Sequence, residues 1–413
     1  MVMGRVRQML KLVPDLSIDI MGPYRSWMEP EDACVVTDPL ILNADLFESN
    51  RVHYIQHWIR ANALETRYNF DSDGIASALE LSSHKEHPAL RYDVVYINDP
   101  MHLRNFKALF HIYAGYQPKF VVHSHFIDNP SCPKFPKEAS LWLGQCEAAI
   151  RADVNFWQCE SSMDTFFKEM SDFFKSDVVE YTRNKSTPWD DGYSQEEIQS
   201  PVDRTKVRFD ENEFIRSTEG KRIIFVPNRI GGLGRSSDYT NCGKFMFEVL
   251  PKLRAMRQDF IVLAGNPSQK ILNFELEEMC GKNGYVSLVP DAFNRDEFKL
   301  IVQGYADIAV SLYDQDTYGG TAARECVDCG CMPLWLDNYE YSSIAREADK
   351  YPFLAPPDMK DMHFMADALI HHFQNGTADL GLRLRSLQKV VRKRCSYEET
   401  SRPALVKMGL LNE

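Results

Sequence analysis

The chain has 413 residues, 44% hydrophobic and 26% charged, with 59 acidic against 47 basic side chains and a formal net charge of −12. Those proportions exclude a disordered or fibrous polypeptide, and no uninterrupted apolar stretch approaches the ~20 residues of a membrane helix. Nothing global announces a polyanion partner, although a local basic surface is compatible with the balance.

The length suits two or three compact units, each large enough to bury a core. Ten cysteines are dispersed through the chain, and its first residues lack a signal-peptide apolar region, so reduced thiols and a cytoplasmic location are expected. The one tight cluster, Cys326, Cys329 and Cys331, lacks a second pair at zinc spacing, so buried packing is expected there and no metal.

In chain order, strand-like apolar runs occupy 33–40, 93–99, 119–125 and 155–161, and helix-compatible stretches occupy 51–63, 101–114, 137–151 and 162–175. Residues 176–221, with Pro188, Pro201 and little apolar periodicity, suit an inter-domain connection. Further strand-like runs follow at 222–228, 259–266, 285–291, 308–314 and 332–338. This alternation predicts an α/β protein of two Rossmann-like, doubly wound domains: 1–210 and 211–380, with 381–413 a C-terminal helix packing back across them. Two such domains facing each other would form a central cleft at the carboxyl ends of their strands, so the loops there are the ones to read for chemistry.

The segment Asn228 to Arg235 carries Gly231, Gly232 and Gly234 between a strand and a helix that opens at Gly243-Lys244. Such a turn lets backbone N–H groups approach a phosphate, with Arg229, Arg235 and Lys244 to neutralise it. It matches neither the Walker A pattern nor the dinucleotide fingerprint, and its plainer reading is a surface turn with two solvated arginines. A second segment runs from Ser311 through Asp316, Gly319, Gly320 and Thr321 into a helix bearing Glu325. Its glycines and threonine form another anion site, and Glu325, one turn in, could accept both hydroxyls of a ribose; the plainer reading is an ordinary helical carboxylate. Together the two segments describe a nucleoside-diphosphate pocket. In the first domain, a strand leading into His123-Ser124-His125 puts two imidazoles on one side of an extended chain, where one could hydrogen-bond a sugar hydroxyl. His84, His87, His371 and His372 read as loop or helix-surface residues without a role.

The second half resembles the retaining glycosyltransferases of the GT-B fold. The likeness rests on Asn228-Arg229 through Gly243-Lys244, Leu263 to Pro267, Asp307 to Ser311, and Glu325 with Cys329-Gly330 and Pro333. Two departures stand out: Thr317 occupies the position of the first Glu in the family's Glu-x7-Glu motif, with Asp316 one residue earlier, and the lysine follows a longer loop. Over most of residues 90–340 the chain is also similar to the T-even-type phage DNA α-glucosyltransferases. That likeness is carried by Ser200 to Arg208, by the Asn228 to Arg235 loop, and by His123-Ser124-His125, where Ser124 replaces the family's acidic residue.

The resemblance implies a hexosyltransferase with no permanently bound cofactor. A nucleotide-sugar donor, UDP-glucose, would bind the C-terminal domain, and the hydroxymethyl group of 5-hydroxymethylcytosine in double-stranded phage DNA would be the acceptor on the N-terminal side, in the host-cell cytoplasm. Catalysis would fall to His123, Arg229 and Lys244, and donor binding to Arg229, Arg235, Lys244, Asp316, Gly319, Gly320, Thr321 and Glu325. DNA contacts would come from Arg104, Lys107, His125, Lys134 and Lys137, while the cluster Arg383, Arg385, Lys389, Arg392, Lys393 and Arg394 reads as a solvated helix face. Two other readings stay open: the same pocket serving a polysaccharide, lipid or protein acceptor, and a non-catalytic nucleotide-sugar- or DNA-binding protein.

Overall fold

The computed structural model describes residues 2–23, 44–57, 70–98, 100–124, 139–190, 192–227, 241–265, 279–280, 284–289, 294–312, 320–337, 339–348, 354–355, 361–375 and 378–412. The chain divides into two compact units, Met1–Asp191 with Thr400–Glu413, and Gly192–Glu399.

In the first unit, β3 (Val94–Ile97), β4 (Lys119–Ser124), β5 (Val154–Trp157) and β6 (Ser186–Pro188) form a four-stranded, wholly parallel sheet in that order. Val154 through Trp157 are all buried, as expected of a parallel strand covered on both faces. One core gathers Leu109, Phe110, Phe120 and Val122; another packs Leu405 and Met408, from the C-terminal helix Tyr397–Met408, against Val121, Phe156 and Trp189. A separate two-stranded parallel sheet pairs β1 (Ile18–Pro23) with β2 (Val52–His57), with Ile18 opposite Val52. This corrects the helix expected over 51–63, of which 58–63 lie outside the described residues. Val52, Tyr54 and Ile55 favour extended backbone, and Val52 is buried with Val6 and Leu46. The strand expected at 33–40 also lies outside the described residues.

In the second unit, all pairings are parallel in a six-stranded sheet ordered β12-β11-β10-β7-β8-β9. Its strands are β7 (Arg222–Val226), β8 (Phe260–Gly265), β9 (Val286–Val289), β10 (Ile308–Ser311), β11 (Met332–Leu336) and β12 (Leu354–Ala355). The five predicted runs correspond to β7 through β11. Every residue of β10 and β11 is buried, and the unit's large core runs along both faces of the sheet.

The stretch 176–221 is structured rather than a plain connection. Helix Ser176–Asn184 and β6 join the first sheet's layer, whereas Gln195–Gln199 and Glu211–Thr218 are helices of the second unit. Polar bonds fix this stretch to its own unit: Tyr193 exchanges backbone bonds with the Cys395–Tyr397 stretch, Glu398 accepts from Ser194 and Gln195, and Glu297 accepts from Arg208. The division therefore falls at Asp191/Gly192, upstream of position 210.

Candidate functional site

The six-stranded sheet has a reversal point. From β7 the chain winds outward through β8 and β9 on one side, then returns to lay β10, β11 and β12 on the other. Open α/β sheets take their ligands outside the carboxyl ends of the two strands that flank such a reversal. Here those strands are β7 and β10, paired at Ile224–Ile308 and Phe225–Ala309. The chain leaves them into 227–240 and 312–320, the two glycine-rich segments singled out from sequence. Arg229, Arg235, Asp316 and Gly319 lie outside the described residues. Lys244 is exposed at the end of the helix Asn241–Lys244.

The second segment is tied at both ends by one side chain. The Tyr341 hydroxyl accepts from the Gly320 N–H at 3.2 Å and lies 3.0 Å from Ser311 Oγ, joining the last residue of β10 to the start of helix Thr321–Asp328. Tyr341 is fully buried and stacks on Trp335 with ring centroids 4.3 Å apart. The Gly320 amide is thus directed at protein; Thr321, partly exposed, opens the helix beyond it.

Glu325 is buried and ion-paired. Arg295 Nη2 donates to its Oε1 at 2.7 Å and Nη1 to its Oε2 at 3.0 Å, while Arg295 Nε donates to Glu197 at 2.7 Å. Burial pushes the Glu325 carboxyl up, and Arg295 pulls it back. The guanidinium occupies about two of roughly four acceptor positions, which leaves the carboxylate able to receive hydroxyls. Neither Arg295 nor Tyr341 was recognisable beforehand. Arg295 follows a readable helix start, Asn294 capping Glu297 N–H, but its pairing across 30 residues has no local pattern.

In the first unit, His123 stands at the carboxyl end of β4, opposite Phe156 of β5, and is fully buried. Its Nδ1 lies 3.0 Å from Arg5 Nη1 and within hydrogen-bond reach of the Tyr96 hydroxyl, and its ring is parallel to Trp189 (centroids 5.9 Å, interplanar angle 12°). His125, Lys134 and Lys137 lie outside the described residues. Arg104 is exposed, whereas Lys107 donates to the Arg151 carbonyl at 2.7 Å and so caps the end of helix Ala139–Arg151. Within the C-terminal basic cluster, Arg392 pairs with the buried Asp328, and Lys393 and Arg394 with Glu347.

Among the described residues no group of three or more His, Cys, Asp or Glu side chains could hold a metal ion. Cys326 and Cys331 are buried, and Cys331 Sγ donates to the Val302 carbonyl at 3.5 Å. Burial pushes the Cys326 thiol up. Among the described residues no helix is long and apolar enough to cross a membrane.

No protein-family model matches the chain, and no curated protein matches it in sequence. Solved structures match it over nearly all its length. An E. coli trehalose-6-phosphate structure bound with UDP-2-fluoro glucose has a TM-score of 0.64 at 12% identity, covering 98% of this chain and 95% of that one. Anabaena Alr3699/HepE in complex with UDP gives 0.62 at 12% identity, covering 96% and 100%. An α,α-trehalose-phosphate synthase (UDP-forming) from Burkholderia xenovorans in complex with glucose-6-phosphate gives 0.61 at 12% identity, covering 97% and 94%. The likeness shows the fold: two Rossmann-like domains of the GT-B type.

Proposed function

We propose that the chain is a retaining glycosyltransferase that moves a hexose, glucose, from a UDP-sugar to a hydroxyl acceptor. One observation carries the reading: both glycine-rich segments leave the strands that flank the reversal point of the second sheet. UDP-containing complexes among the structures of the same fold support the choice of nucleotide.

In this reading the second unit holds the donor. Arg229, Arg235 and Lys244 neutralise the diphosphate together with backbone N–H groups at Gly319 and Thr321, and Glu325 accepts the ribose hydroxyls. Asp316 stands in for the missing first Glu of Glu-x7-Glu. Breaking the glycosidic bond puts negative charge on the leaving diphosphate, so cations and N–H groups aimed there bind the transition state more tightly than the ground state. His123 hydrogen-bonds the donor sugar, and the acceptor hydroxyl attacks on the leaving-group face, which retains the anomeric configuration. The Gly320 amide drops out of the diphosphate set because Tyr341 accepts from it.

The acceptor proposed from the sequence segments is the hydroxymethyl group of a modified base in double-stranded DNA, reached by flipping or from a single strand. A small sugar phosphate is the second reading. The net charge of −12 and the acidic partners of Arg392, Lys393 and Arg394 favour it, as does the glucose-6-phosphate complex of the Burkholderia synthase. The test is UDP release from UDP-glucose in the presence of 5-hydroxymethylcytosine duplex, unmodified duplex or glucose-6-phosphate. Stimulation confined to the hydroxymethylated duplex establishes the DNA acceptor. Stimulation by glucose-6-phosphate establishes the second reading, and no donor consumption under any condition removes the glycosyltransferase.

A further inference from the structure

We infer that Arg5 is a positioning residue that holds His123 as a neutral imidazole with its proton on Nε2, so that it meets a ligand only as a hydrogen-bond donor. The sugar as ligand rests on the glycosyltransferase reading; the protonation state of the ring does not.

A guanidinium carries five N–H groups, accepts nothing and stays charged. Arg5 Nη1 lies 3.0 Å from His123 Nδ1 and also donates to the Tyr96 hydroxyl at 3.1 Å, and Nη2 donates to the Asp190 carbonyl at 2.7 Å. Against such a neighbour Nδ1 can only be the acceptor, because a proton there would set N–H against N–H. The Tyr96 oxygen receives from Arg5, and the hydroxyl lies within hydrogen-bond reach of the same Nδ1. The Arg5 contact thus assigns Nδ1 as the lone-pair nitrogen, and a neutral ring then carries its hydrogen on Nε2. An imidazolium would require Nδ1–H facing a cation inside a site where His123 is fully buried and Arg5 is 4% exposed.

Packing keeps the group in this arrangement. The Arg5 guanidinium lies over Trp189, 4.6 Å from the ring centroid, and the His123 ring is parallel to the same indole. Tyr96 stands edge-on to both rings, at 90° to His123 and 81° to Trp189. Arg5 belongs to the helix Val2–Leu12, so the N-terminal helix supplies the charge that sets the chemistry at the end of β4. The functional consequence is selective. An Nε2–H donor can bind a sugar hydroxyl oxygen or steady developing negative charge, but it cannot take a proton from the acceptor.

The test is nitrogen-15 NMR of the full-length protein labelled at histidine, with the His123 ring identified by its loss in His123→Gln. The expected result is a protonated Nε2 and bare Nδ1 that persist from about pH 8 to about pH 5.5, through the range where free imidazole titrates. Tyr96→Phe should keep that pattern, because Arg5 still faces Nδ1, whereas Arg5→Met should let the ring titrate. Kinetically, Arg5→Met should lower kcat about 10–100-fold, the range over which orienting partners of an imidazole act, with Arg5→Lys recovering part of it. Donor KM should change less than kcat, since in this reading the donor is held chiefly through its diphosphate and ribose. A wild-type ring protonated on Nδ1, or one that titrates like a free histidine, overturns the inference; so does a Tyr96→Phe ring that switches tautomer. A ring held as described in a protein that uses no nucleotide-sugar sustains the assignment and removes the glycosyltransferase reading alone.

Discussion

Arg295 and Glu325 meet in a two-bond ion pair, with nitrogen–oxygen distances of 2.7 and 3.0 Å, in which the carboxylate is almost entirely buried and the guanidinium is partly open to solvent. The pair fixes the orientation of the carboxylate proposed to receive the ribose. Removing the cation alone would strand a buried anion, and breaking one side of a buried pair costs about 3–5 kcal/mol.

Arg295→Met should therefore destabilise the second unit strongly, and the loss should grow with pH. Burial already raises the Glu325 carboxyl, and without Arg295 it would rise further. A carboxyl raised in the folded state holds its proton while the unfolded chain gives it up, so stability falls as pH climbs from the unfolded value toward the folded one. Urea melts at about pH 5 and about pH 8 measure this; equal losses at both would contradict it. Glu325→Gln, which removes the charge instead, should melt without that slope and should raise donor KM.

Tyr341→Phe keeps the stack on Trp335 but removes the hydroxyl shared by Ser311 and Gly320. The Gly320 amide then loses its acceptor. The expected cost is about 1–3 kcal/mol for an abandoned buried bond, with faster hydrogen exchange at Gly320. Unchanged exchange there would show that the hydroxyl does not hold the helix start.

Glu297 accepts Arg208 Nε and backbone N–H, each at 2.8 Å, and a further 2.8 Å bond from Arg208 Nη2, while its Oε2 also receives the Asn294 N–H. Burial raises this carboxyl, but the bonds from Arg208 and Asn294 outweigh it and hold the group below its usual range. A lowered carboxyl stabilises above its unfolded value and loses that contribution as pH falls through the folded one. Glu297→Gln should thus cost about 2 kcal/mol at neutral pH, with the gap to wild type closing as the solution is acidified below about pH 4. A gap that stays constant into acid would refute the assignment.

Gly192 opens the second unit where Tyr193 bonds to Cys395. A Cβ built there would lie 1.9 Å from the Cys395 carbonyl oxygen, which is backbone and has little room to yield. Gly192→Ala should cost about 3 kcal/mol, the upper end for forced overpacking. An unaltered thermal midpoint would show that the two segments part without penalty.

The parallel strands with buried faces were legible because continuous apolar runs such as Ile223 to Val226 and Met332 to Leu336 leave no other use for those side chains. Val52–His57 was not: its run sits among residues equally able to form a helix, and pairing with β1 decides the matter. The 176–221 stretch reads as an inter-domain connection because its helices are short and held by charged partners, such as Arg208 on Glu297, that apolar periodicity does not register. At the site, residue types near the strand ends were readable, but the partners were not. Arg5 reaches His123 across 118 positions, and Tyr341 reaches back to Ser311 and Gly320 from the next helix.

UDP release from UDP-glucose by wild type, Arg229→Ala and Lys244→Ala tests the donor chemistry proposed at the β7/β10 reversal point most directly. Release by the wild type that falls about 10²–10³-fold in each variant, with folding intact, is the expected result, because each cation is proposed to meet the charge of the leaving diphosphate. Wild-type release that neither variant changes would contradict the placement of the diphosphate, and no release with any nucleotide-sugar would contradict the function itself.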